Sequence, residues 1–71
     1  MDIIRVNQQT VKAAMDECAF EINCILGRPK AEGSLEKLDK TTARYSRLST
    51  QLQILKQLEA QIEENPSQDE S

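Results

Sequence analysis

The sequence predicts an all-α fold, a two-helix antiparallel hairpin of coiled-coil type with a disordered acidic C-terminal tail. Two observations carry this: apolar residues recur at three- and four-residue intervals through both halves, and one Gly/Pro-marked break separates the halves. A third, the loss of apolar residues after Asn65, sets the end of the folded part. A single unit is expected over 1–65, with a first helix at about 3–26, a turn at 27–33 and a second helix at about 34–64.

The first half carries Ile4, Val11, Met15, Cys18, Ile22 and Ile25 on one line, interrupted only by Gln8. This 3-4 spacing is the seam of an amphipathic helix, not the alternation of a strand. Val6, Ala14, Ala19 and Leu26 widen it, while Lys12, Asp16, Glu17 and Glu21 lie off it. Either Asp2 or Asn7 suits the N-cap. The break runs Gly27-Arg28-Pro29-Lys30-Ala31-Glu32-Gly33. Gly27 fits the left-handed position that closes a helix, and a proline two residues later blocks continuation. Gly33-Ser34 offers a new N-cap, with Glu36 in the favourable first turn. A connection this short returns the second helix antiparallel to the first.

The second half repeats the spacing with Leu38, Thr41, Tyr45, Leu48, Leu52, Leu55 and Ile62, with Glu59 as a charged intruder. Leu35, Ile54 and Leu58 flank the line, an apolar arc wider than one partner helix needs. A first helix of ~24 residues spans ~36 Å and the second ~48 Å at 1.5 Å per residue. The second should therefore overhang, with Leu55, Leu58 and Ile62 near the uncovered end. Pro66 to Ser71 is polar and acidic and reads as the disordered tail.

Composition narrows the function. Chains of this length bury only about 60% of the surface their unfolded form exposes. Here there are no His, two Cys, and Phe20 and Tyr45 as the only aromatics, so an ordinary zinc site cannot be assembled and ring packing is scarce. No cofactor or metal is expected. Cys18 and Cys24 lie ~9 Å apart along one helix, too far to pair, and read as two small buried apolar residues of a reducing compartment. The net charge is -3, without a basic block, which argues against nucleic-acid binding. No run of ~18 apolar residues exists to span a membrane. Met1-Asp2-Ile3-Ile4-Arg5 lacks the pattern of a secretory signal, so a cytoplasmic location is expected. Without a His base, and with Asp16, Glu17 and Glu21 on a solvated face, the chain is read as non-enzymatic.

One hairpin face against another leaves Val6, Phe20, Leu26, Ile54 and Leu58 uncovered, and exposed apolar area of this kind marks a binding surface. A helical protein partner fits an i, i+3, i+4, i+7 ridge, and homo-oligomerisation is the alternative. The expected partner-binding residues are Phe20, Leu26, Tyr45, Leu48, Leu52, Ile54, Leu55, Leu58 and Ile62.

The layout resembles the YscE/EscE-like co-chaperones of type III secretion needle subunits. The shared features are total length, a first helix, the short turn from Gly27 to Gly33, and a longer second helix rich in Gln and Leu from Tyr45 to Leu55. The resemblance spans almost the whole chain and is one of pattern. It implies a hairpin that pairs with a helical-repeat chaperone and helps keep a needle subunit from aggregating before export, a virulence-related role with no catalytic residues. A second resemblance is to small helical-hairpin aspartyl-phosphate phosphatases. Ser34-Leu35-Glu36-Lys37-Leu38-Asp39 is similar to their Ser-x-x-Leu-Asp motif, with one residue more between Ser and Asp. A structural subunit of a larger coiled-coil assembly is the third reading.

Overall fold

The computed structural model describes residues 2–64. It consists of α1, Ile3–Gly27, and α2, Ser34–Glu64, packed against each other, with no strand among the described residues. The all-α hairpin expected from the spacing is the fold observed. The expected disordered tail, 66–71, lies outside the described residues.

Asp2 starts α1. Its backbone is extended, and its Oδ1 accepts hydrogen bonds from the N–H groups of Ile4 at 3.1 Å and Arg5 at 3.2 Å. Two of the donors that a helix start leaves unpaired are thereby satisfied. Asn7 lies inside the helix instead and serves the contact with α2.

The connection is built from two successive turns. The Arg28 carbonyl accepts from the Ala31 N–H at 3.1 Å, and the Ala31 carbonyl from the Ser34 N–H at 3.2 Å. Pro29 occupies the second position of the first turn, where its fixed φ fits. Gly33 occupies the third position of the second turn with φ +79°, the left-handed value a type II turn requires.

This corrects the expectation for Gly27, which ends α1 without a positive φ. The stop is made one residue later. Arg28 precedes a proline, which disfavours helical backbone there, and it adopts φ −136°, ψ 62° while its N–H donates to the Ile25 carbonyl at 3.0 Å. Ser34 also departs from its expected capping role. Its hydroxyl donates to the Arg28 carbonyl at 3.0 Å and ties together the two ends of the connection. The first turn of α2 is closed by the Gly33 carbonyl, which accepts from the Lys37 N–H at 3.0 Å.

Three side-chain contacts fix the register. Thr41 Oγ1 donates to Glu21 Oε2 at 3.4 Å, Gln51 Nε2 donates to Asn7 Oδ1 at 3.4 Å, and the Arg5 guanidinium lies 3.7 Å from the Glu59 carboxylate. The first turn of α1 thus reaches Glu59. At 1.5 Å per residue α1 is about 37 Å long and α2 about 46 Å, so α2 does overhang, but only beyond Glu59. Leu55 is therefore half-buried on the seam and not near an uncovered end.

The interior is one line of contact. Among the described residues only Val11 and Cys18 are buried apolar residues, joined by buried Gln8 and Thr41. Ile4, Met15, Ile22, Ile25, Leu38, Leu48, Leu52 and Leu55 are half-buried along the same line. Cys24, expected inside, is exposed. Six residues rotate a helix position by about 120°, so Cys18 and Cys24 cannot both face α2. Thr41 is satisfied by Glu21, whereas Gln8 Nε2 has no hydrogen-bond partner.

Two predictions follow from these positions. Gly33→Ala should destabilise the hairpin by about 1–2 kcal/mol, because a Cβ is strained at positive φ, although there is open space around it. Gly27→Ala should stabilise it by about 0.5–1 kcal/mol through helix propensity. Urea titration followed by circular dichroism reads both, and equal signs would refute the placement of the left-handed residue. Separately, Gln8→Leu should remove a buried unsatisfied amide worth about 1–3 kcal/mol and raise Tm by roughly 4–8 °C per kcal/mol. A fall in Tm would show that the amide is not an uncompensated burden.

Candidate docking surface

A helix pair has two grooves, one along each side of its contact line, and the sequence rows that line each can be assigned from the contacts above. Residues seven apart share a row, and residues three or four apart are neighbours. Asn7 and Glu21 both bond across to α2 and lie in one row with Ala14. Ile3, Thr10, Glu17 and Cys24 form the adjacent row. On α2 the facing rows are Lys37, Arg44, Gln51, Leu58 and Lys40, Arg47, Ile54. Near the turn this first groove widens into a hollow of about 420 Å³ lined by Glu21, Cys24, Ile25, Lys37, Lys40 and Thr41.

The first groove is divided along its length. At its turn end, α1 presents Glu17 and Glu21, and α2 presents Lys37, Lys40, Arg44 and Arg47. At the open end of the hairpin the side chains in these rows are apolar, Ile3, Ile54 and Leu58, all exposed, and Ile62, exposed on the overhang of the contact line, stands beside them. The sequence pointed to Ile54, Leu58 and Ile62. Ile3 is not among the expected residues, because the spacing within α1 alone does not reveal that it ends up level with Leu58, whereas Val6, expected to widen the seam, shares the row of Phe20 and lies outside this groove.

The second groove has a different character. Around the turn it holds a hollow of about 220 Å³ lined by Ile25, Leu26, Pro29, Ser34, Leu35 and Leu38. Leu26 is 58% and Leu35 80% exposed. Tyr45, one heptad beyond Leu38, stands on the same side at 37% exposure. No charged side chain lines this hollow.

The nine expected partner-binding residues therefore do not form one surface. Leu48, Leu52 and Leu55 are half-buried on the seam, covered largely by α1. Ile54 and Leu58 belong to the first groove, Ile62 continues the seam row of Leu48 and Leu55 past Glu59 onto the overhang, and Leu26 and Tyr45 belong to the second groove. Phe20, 69% exposed, is half a helical turn away from the seam residue Val11 and faces away from α2. Leu35 completes the second groove. Its signal was present in the sequence as a flanking apolar position.

The motif resembling the phosphatases does not gather a site. Ser34 is engaged with the Arg28 carbonyl, and Asp39 is exposed on α2, away from the seam. Among the described residues no group of three or more His, Cys, Asp or Glu is placed to hold a metal ion, and no helix is long and apolar enough to cross a membrane. The arrangement can bind by apolar contact and oriented charge. Compared with protein-family models, characterised proteins and solved structures, the chain matches none, so the functional reading rests on the residues themselves.

Proposed function

We propose that this chain is a non-catalytic helix-binding adaptor, whose second groove takes the apolar ridge of a helix from another protein. The observation that carries the reading is the imbalance of apolar surface. Two apolar side chains are buried, while Ile3, Val6, Phe20, Leu26, Leu35, Tyr45, Ile54, Leu58 and Ile62 are exposed. At about 25 cal/mol per Å² of apolar surface removed from water, covering part of that set adds directly to what the hairpin's own seam contributes. An amphipathic helix supplies anchors at the spacing the second groove offers, Leu26 and Leu35 at the turn and Tyr45 nearly three turns further along.

The finer reading is a co-chaperone of type III secretion needle subunits, acting in the cytoplasm beside a helical-repeat chaperone. Its support is the resemblance in length and layout, together with a hairpin too thin to enclose a core. In that role the exposed ridge shields the aggregation-prone helix of the needle subunit until export.

Co-expression with a helical-repeat chaperone and a needle-type subunit tests it. A stable complex should co-purify, and Tm of the hairpin should rise, since binding at one hundred times Kd adds about 2.7 kcal/mol. Leu26→Ser with Leu35→Ser should weaken binding at least about tenfold while the free chain keeps its stability within roughly 0.5 kcal/mol, as exposed positions do. Leu52→Asp, on the seam, should unfold the hairpin itself. Wild-type binding by the double variant would sink the second-groove reading, and failure of these partners to co-purify would sink the co-chaperone reading.

A further inference from the structure

We propose that the first groove is the interface for a second copy of this chain, the two hairpins meeting face to face about a two-fold axis parallel to their length to form a four-helix bundle. This inference rests on the first groove and is independent of what the second groove binds.

The argument begins with charge. Glu17 and Glu21 stand on the α1 wall, Lys40, Arg44 and Arg47 on the α2 wall, and all lie toward the turn end. Among the described residues, neither of these carboxylates nor any of these three cations has an ion pair. Glu21 accepts a hydrogen bond from the Thr41 hydroxyl, at 3.4 Å. A two-fold axis along the hairpin swaps left and right and leaves height unchanged. It therefore sets α1 of one copy against α2 of the other, at the level where Glu21 already meets Thr41. The acidic wall of each copy then faces the basic wall of its mate, twice over.

The same operation brings the two apolar ends together. Ile3, Ile54 and Leu58 of one copy, with Ile62 on the overhang, meet the same residues of the other, which buries side chains that the hairpin leaves 38–77% exposed. A two-fold perpendicular to the hairpin would instead lay this apolar end over the charged end of the second copy, and that loses both gains. Every adjacent helix pair in the proposed bundle runs antiparallel, the arrangement of up-down four-helix bundles.

Size is adequate. A face about 37 Å long, from the length of α1, and 17 Å wide offers roughly 600 Å² per copy before side-chain relief is counted. That is close to the ~800 Å² per partner of a standard stable interface. Residues 65–71, Asn-Pro-Ser-Gln-Asp-Glu-Ser, are a poor occupant of this groove, with Pro66 their single apolar side chain to place on Leu58.

Sedimentation equilibrium of the full chain over a micromolar to millimolar series should give a species of twice the 8.0 kDa chain mass. Two charge-reversed variants then test the geometry: Glu17→Lys with Glu21→Lys, and Lys40→Glu with Arg44→Glu. Each alone should dimerise at least about tenfold more weakly, since like charges face each other across the interface, and an equimolar mixture should recover a heterodimer. Asp16→Lys with Asp39→Lys changes the net charge as much as the first variant but lies outside the groove, and should dimerise as the wild type does. Circular dichroism on each variant alone separates lost folding from lost association, and the mixture supplies the readout where a variant folds only with its complement. A monomeric wild type, variants that still self-associate, or a mixture that fails to form heterodimers would each overturn the proposal. Recovery of the groove by a foreign helix instead of a second copy would appear as a wild-type monomer and overturn it equally.

Discussion

Two α-helices touch along a single line, and everything else in this molecule follows from that geometric limit. A third helix or a sheet would cover the flanks of the pair, but a hairpin has only its own two contacting stripes. Side chains on the contact line can be buried, and those a third of a turn away cannot. Val11 and Cys18 are buried because they occupy the middle of one heptad row, whose end residues Ile4 and Ile25 stay half-open, as do Met15 in the neighbouring row and Leu48 and Leu55 on the facing stripe. The buried apolar area is therefore set by helix length and not by how hydrophobic the helices are. Additional apolar residues beyond the seam add exposure instead of stability.

Against so thin a core, polar contacts along the seam carry weight in choosing the alignment. A line of similar apolar residues packs nearly as well when slipped by one heptad, and it is the non-equivalent positions that tell the registers apart. Here Thr41 meets Glu21, Asn7 meets Gln51, and Arg5 reaches Glu59. Each is weak, since exposed pairs contribute about 0–1 kcal/mol, yet together they mark three levels along the hairpin. Glu59, which interrupts the apolar line in the sequence, has a reason to be there once Arg5 is beside it. Gln8 is the exception, being buried without a partner for its amide nitrogen.

How much of this was legible in the sequence depends on whether the determining interaction is local. The seam was legible, since its periodicity belongs to each helix separately, and every position from Ile4 to Ile25 assigned to it is buried or half-buried. The turn was legible in place but not in mechanism. Gly27 and Gly33 are equally able to adopt positive φ, and the choice between them was made by Pro29 acting on Arg28 and by the second turn. Cys24, expected to be buried because cysteine is a small apolar residue, is exposed because it lies six residues, about 120°, around the helix from the seam position Cys18. The docking residues were legible least well. Exposure of Phe20, Leu26 and Ile54 could be foreseen, but their division among two grooves and an outer face depends on which α2 residue stands level with which α1 residue. That is a property of the pair, and neither helix encodes it alone.

The two grooves differ in a way that bears on how a small hairpin can serve two contacts at once. One combines charge of both signs with an apolar end, so that any occupant must match sign, height and direction. The other is uncharged around its hollow and constrains an occupant mainly by shape. Electrostatic patterning contributes more to orientation and partner choice than to raw affinity, whereas apolar contact is tolerant of sequence. A surface built for one fixed mate therefore suits the first description, and a surface that must accept a variable or aggregation-prone helix suits the second. Because the grooves lie on opposite sides of the seam, filling one leaves the other accessible. Each would still be coupled to the other through hairpin stability, since any ligand of the folded state adds to its population. With a core this small, association on either side shifts the fraction of folded chain, and so tightens binding on the far side without any change of shape.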